Sequence, residues 1–341
     1  MELNIIWFVL LVVLFSGYVV LDGFDLGVGM IHFKARNDHD RRIMLNSIGP
    51  VWDGNEVWLI TAGGALFAAF PNVYATVFSG FYTAFMLFLL VLIGRAVSIE
   101  FRSKVELASW RQTWDQVFHI SSYLIALLLG VSLGNILTGV PIDVIAGVKE
   151  FGGDFFSLLS PFAIAVGVVA VLALRFHGSL FMLIKSDGAL HGVIESGLRR
   201  SFYYYLIAYA FVGVWIWTDM PHLTANFREY PVWLVLQLGA IISFVALWIG
   251  IGRRQFMKSF IYSSIILVFS IAMCGVGIYP NLLISSGNPA DSLTIFADSS
   301  SQRTLQTMLI IALIFVPIIL VYKFIVYRIF RGKTEIDNNS Y

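Results

Sequence analysis

Long apolar stretches alternate along this chain with short polar turns, and the alternation holds nearly from end to end. Runs long enough to cross a bilayer, roughly 20 residues at 1.5 Å rise, fall near 5–30, 51–70, 73–100, 114–139, 156–184, 200–218, 230–251, 259–279 and 305–328. The pattern predicts an all-α polytopic membrane protein with nine transmembrane helices. Pro71 and Asn72 alone separate the second and third runs, which predicts a tight antiparallel hairpin there. The excursions 140–155 and 280–304 are the longest on their side and are too short to fold alone.

The basic residues orient the pattern. Seventeen lie on one side: Lys34, Arg36, Arg41, Arg42, Arg102, Lys104, Arg111, Lys185, Arg199, Arg200, Arg253, Arg254, Lys258, Lys323, Arg328, Arg331 and Lys333. Only Lys149, Arg228 and Arg303 lie on the other, with Arg95 and Arg175 inside runs. Cytoplasmic loops carry the excess of Lys and Arg, so the amino terminus is expected outside and the carboxyl terminus inside. The first run lacks a basic flank and carries acids, so it reads as a span and not as a cleaved signal peptide. Four spans return the chain to its starting side, which suggests two like-oriented four-helix bundles, 1–139 and 140–280. The ninth helix then joins them as a peripheral addition within 281–341.

Composition agrees with a bilayer as solvent: 58% of residues are hydrophobic and 13% charged, against roughly 25% charged in an ordinary soluble domain. A net charge of +1 gives no footprint for nucleic acid. The single cysteine, Cys274, excludes a disulfide framework, a thiolate-held cluster or a CxxCH haem attachment within the chain. Pairs with small-xxx-small spacing, Gly23 with Gly27 and Gly130 with Gly134, predict close helix–helix approach.

Charged residues inside spans are expensive and mark candidate function. Asp22 and Asp25 lie three apart in the first span, on one helical face. Asp53 and Glu56 repeat that spacing at the start of the second; Arg95 and Glu100 follow in the third, then Asp115 and His119 in the fourth. These groups are expected at similar depth near the cytoplasmic face, where carboxylates and a histidine can relay protons. Simpler readings stand beside that one. Asp53 and Glu56 suit the first turn of a helix, Arg95 suits a counter-ion for Asp22 or Asp25, and Glu100 and Asp115 suit the interface. His119 and His177 are the two histidines well inside spans and could in principle ligate a haem b. His32, His39, His191 and His222 are loop or end residues without a partner in view. No phosphate loop, zinc pattern or nucleophile elbow occurs.

The segments GYVVLDGFDLGVGM (17–30) and GPVWDGNEVWLITAGGALFAAFPNVYATVFSGFY (49–82) resemble subunit II of cytochrome bd-type quinol oxidases. RNDHDRRIMLNSIGP, RAVSIEFRSK and SLTIFADSSSQRTL fit the same family in the same order. The resemblance implies a membrane complex that oxidises quinol and reduces dioxygen to water. Its b-type and d-type haems would lie in the partner subunit I, and none in this chain. It implies two four-helix bundles with a peripheral helix, a role in assembly, and a share in a cytoplasmic proton route. The family's acids in that route correspond to Asp25 and Asp53, with Asp22 and Glu56 flanking; Glu56 stands where other members carry glutamine. Small single-span subunits and a structural quinone occur in the family, and no motif here locates either. The alternative classes are a proton-coupled secondary transporter, which would show broken helices in both halves, and a structural membrane partner whose acids only neutralise Arg95.

Overall fold

The computed structural model describes residues 2–336, and the chain is predominantly helical. In order come α1 (Leu3–Ile31), α2 (Asp38–Ile48), α3 (Trp52–Ala69), α4 (Pro71–Gly80), α5 (Tyr82–Phe101) and α6 (Ala108–Thr138). A ribbon, β1 (Ile142–Ile145) and β2 (Val148–Phe151), leads to α7 (Pro161–Lys185), α8 (Gly188–Asp219), α9 (Pro221–Glu229), α10 (Leu234–Gly252) and α11 (Phe256–Ile278). A second ribbon, β3 (Asn281–Leu283) and β4 (Leu293–Thr294), precedes α12 (Gln302–Ile329).

Local chemistry places the boundaries. Proline opens α4, α7 and α9, where a missing N–H costs nothing. The Asn37 side chain caps α2 by accepting from Asp40 N at 2.8 Å, and Ser160 and Ser301 cap α7 and α12 in the same way. Gly139, at φ +84°, stops α6.

Seven helices are long and apolar enough to cross a membrane among the described residues. The two expected spans outside that set are α3, which opens on Asp53, Asn55 and Glu56, and α8, whose first turns carry His191, Glu195, Arg199 and Arg200. The third run does not form one helix. Pro71 starts the short α4, which breaks at Phe81, and the crossing segment begins only at Tyr82. The expected tight hairpin between the second and third spans is therefore replaced by a helix–helix–helix connection. In it α4 packs on β2, with Thr76 Oγ1 donating to the Lys149 carbonyl at 3.0 Å. The two long excursions hold each other: Val140 bridges Ser285, and Lys149 Nζ donates to the Ser292 carbonyl at 2.7 Å.

The small-residue spacings are packing devices. A Cβ added at Gly27 of α1 would stand 2.7 Å from Gly178 Cα of α7; one at Gly130 of α6 would stand 2.6 Å from Gly167 Cα, also of α7. Backbones meet directly at both seams, so α7 is clasped between α1 and α6. One hydrophobic core runs across both halves of the chain, from Phe24 and Phe118 through Phe176 and Phe181 to Tyr205 and Phe244. Outward faces carry exposed leucine and isoleucine, as a lipid-facing surface requires. α12 is the extreme case, with Leu305 its one buried residue.

Candidate functional site

Asp22 and Asp25 are both fully buried on α1, yet they meet different partners. Arg95, fully buried on α5, donates to Asp22 in bidentate fashion, at 2.7 Å from Nη2 and 3.2 Å from Nη1. Its Nη1 also lies 3.6 Å from Glu56 Oε2. Of the two counter-ion assignments open in the sequence, the structure selects Asp22. A paired charge of this geometry offsets much of its own desolvation, and a lone one does not.

Asp25 contacts a neutral side chain instead. Its Oδ2 accepts from Asn55 Nδ2 at 2.8 Å, while Oδ1 is buried without a hydrogen-bond partner. Asn55 lies in the first turn of α3, between Asp53 and Glu56, and is itself fully buried. Its Oδ1 accepts from Lys323 Nζ at 2.9 Å and from Tyr327 Oη at 2.8 Å, both on α12. Three helices, α1, α3 and α12, thus converge on Asn55, beside the Arg95–Asp22 pair that α5 supplies.

The remaining expected residues are placed as follows. Glu56 is largely buried beside Arg95, and Asp53 is exposed at the start of α3. Glu100 is half-buried near the end of α5. The His119 ring shares a hydrogen bond of 3.0 Å between Nδ1 and the Gly29 carbonyl and packs edge-on to Phe33 and Tyr123. His177 contacts Ser263 Oγ and the Val20 carbonyl through its two ring nitrogens and stacks on Phe260. Among the described residues no group of three or more His, Cys, Asp or Glu side chains is arranged to hold a metal ion.

Asp115 is not interfacial, as its position near a helix start suggested; it is fully buried. Its carboxylate takes Arg102 Nε at 2.6 Å and Arg41 Nη1 at 2.9 Å, with His32 Nε2 at 2.5 Å. Arg102 continues to Asp38 at 2.8 Å, and Arg111 reaches the other oxygen of Asp38 at 2.9 Å. In the sequence His32 is a loop or end residue and Arg102 one of the basic residues between the third and fourth spans. Each sits in a single 3-10 turn that prolongs a long helix, α1 or α5, and the turn folds the side chain back inside. The network clasps the α1–α2 connection to the α5–α6 turn.

The family described as cytochrome bd terminal oxidase subunit II matches this chain over residues 3–330. The chain belongs to that family. Cytochrome bd-I ubiquinol oxidase subunit 2 of Escherichia coli K12 is 38% identical over 371 aligned residues, covering 99% of this chain and 98% of the relative. Cytochrome bd ubiquinol oxidase subunit 2 of Bacillus subtilis is 33% identical over 337, covering 98% and 97%. The fold matches a chain of the bd oxidase from Geobacillus thermodenitrificans with a TM-score of 0.79 at 19% identity, covering 97% of this chain and 99% of that one. As a subunit II, the protein is part of an oxidoreductase complex of the respiratory chain, multi-pass in the bacterial plasma membrane, and not a secondary transporter.

Proposed function

We propose that this subunit II supports the haem-bearing subunit I of a quinol oxidase and delivers cytoplasmic protons toward the site where dioxygen is reduced to water. The haems, of b and d type, belong to the partner, and quinol is the complex's electron donor. The chain crosses the bilayer nine times, as four-helix bundles within 1–139 and 140–280 plus α12 from the segment 281–341, with its amino terminus outside. Seven apolar helices, together with α3 and α8 as the polar members, support that count. The basic residues on one side support the orientation.

One observation carries the proton reading: Asp25 is a fully buried carboxyl with one oxygen hydrogen-bonded to a neutral amide and the other free. Such a group gains or loses a proton without breaking an ion pair. Asp22 cannot do so, because Arg95 holds both of its oxygens. Asp53, exposed, and Glu56, largely buried, then form the cytoplasmic mouth; Glu100 and His119 are flanking polar groups on α5 and α6. Reduction of dioxygen consumes protons, so a route through the low-dielectric interior is a chemical necessity.

The test is Asp25→Asn in the two-subunit complex, an amide of nearly equal size that cannot carry a proton. Haem content is expected to hold while quinol-driven oxygen consumption per haem falls substantially. Unchanged turnover per haem would overturn the reading.

A further inference from the structure

A lysine near the cytoplasmic end of a lipid-facing helix ordinarily extends its stem and places its ammonium among the headgroups. Lys323 does the reverse. α12 is exposed along nearly its whole length, yet Lys323 and Tyr327 turn inward, one helical turn apart, and end on the same atom, Asn55 Oδ1. The approach is built into α3 as well. Gly54 has no side chain, and a Cβ there would stand 2.8 Å from Lys323 Nζ.

The consequence lies in the chemistry of a carboxamide. Its oxygen accepts two hydrogen bonds and its nitrogen donates two. With both acceptor positions of Asn55 taken by an ammonium and a phenol, the amide has one orientation, with the NH2 toward α1. There it donates to Asp25 Oδ2 at 2.8 Å and lies 3.4 Å from the Leu21 carbonyl. Rotated by a half-turn, the amide would set its NH2 against the Lys323 ammonium, which cannot accept, and its oxygen against a carboxylate. A buried arrangement of that kind leaves several polar groups unsatisfied at once. The two α12 side chains therefore decide which face of the amide Asp25 meets.

We infer that Lys323 and Tyr327 are positioning residues of the proton site, acting on Asp25 through Asn55, so that the terminal helix completes a site otherwise made by α1, α3 and α5. The inference rests on the proton-route reading of Asp25. With Asn55 locked, Asp25 presents the same free oxygen, Oδ1, at every turnover. The charged and titratable groups around this point are Asp22 and Tyr18 on α1, Asp53 and Glu56 on α3, Arg95 on α5, and Lys323 and Tyr327 themselves.

The experiment compares Lys323→Met, Lys323→Arg and Tyr327→Phe with Asp25→Asn in the purified complex. It reads oxygen consumption per haem in H2O and in D2O. Lys323→Met keeps the length of the stem but loses the donor. It is expected to slow turnover by about five-fold and to raise the H2O/D2O rate ratio, with haem content unchanged. Lys323→Arg, which keeps a cationic donor, is expected to recover much of the rate. Tyr327→Phe removes one hydroxyl and should move both readouts the same way by less. A purely structural pin would change the yield of complex and leave the isotope ratio alone. Should Lys323→Met fail to assemble, Tyr327→Phe carries the test; loss of haem in both, or an unmoved isotope ratio, overturns the inference. If Asp25→Asn slows turnover and the α12 variants do not, the role of α12 falls and the proton route stands. If Asp25→Asn leaves turnover unchanged, both fall.

Discussion

Arg95 gives both of its terminal nitrogens to Asp22, and Asp25, one turn further along the same helix, is left facing an amide. Two carboxylates three residues apart thus have opposite chemistry: one is committed to an ion pair, the other is available.

The ion pair sets the first expectation. Arg95→Gln leaves Asp22 buried without a counter-charge, which costs about 3–5 kcal/mol. The complex should be recovered in low yield and unfold at lower temperature in a thermal melt followed by haem release. Adding Asp22→Asn to Arg95→Gln removes the orphaned charge and should restore part of that loss. Failure of the double variant to improve on the single would show that Arg95 does more than neutralise Asp22.

The clasp around Asp115 gives a second. Asp115→Asn removes the negative charge shared by Arg102, Arg41 and His32 and leaves buried Arg102 with Asp38 as its remaining carboxylate, at a cost of about 3 kcal/mol. Stability should drop, and protease cleavage in the α1–α2 connection should become faster. The complex that does assemble should keep its turnover per haem, because no group of the clasp bonds to Asp22 or Asp25. A turnover defect at full haem content would draw the clasp into the proton route.

The α1–α7 seam gives a third. Gly27→Val inserts a branched side chain where a Cβ alone would lie 2.7 Å from Gly178 Cα. Assembled complex should be lost, as judged by haem absorbance in the membrane fraction. Gly63→Ala, where a Cβ meets nothing within 4 Å, should be tolerated. Equal yields from the two would contradict backbone contact at the seam.

Orientation is the fourth. With Cys274 replaced by serine, a cysteine at exposed Arg303 should react with an impermeant maleimide added to intact cells, and one at exposed Arg254 should not. The reverse pattern would invert the topology and put the acids on the wrong side for cytoplasmic uptake.

Much of the fold was legible because lipid leaves few alternatives: a long apolar run has to become a helix, and basic loops give its direction. What the run length concealed were the interruptions. The segment 73–100 carries no charge before Arg95, and only the conformation at Phe81 divides it into α4 and α5. The candidate site was legible in its acids and its arginine, which stand out against their apolar surroundings. Its connections were not. Asn55 is neutral and lies between two conspicuous acids, and its partners Lys323 and Tyr327 are some 270 positions away. His32 and Arg102 were overlooked for the opposite reason, since a basic residue in a loop already had an explanation in topology. Asp115 seemed interfacial from its place early in α6, whereas side chains from three other segments close over it.

Backbone-to-backbone contact on both flanks of α7 makes that helix a keel. Neither α1 nor α6 can slip along it by a fraction of a turn without driving Cα atoms into each other, and close-packed interiors do not yield by degrees. Asp22 and Asp25 ride on the first of those fixed helices. A cycle of proton loading and release at this place would be one of side chains turning on a stationary frame, with no helix sliding on its neighbour.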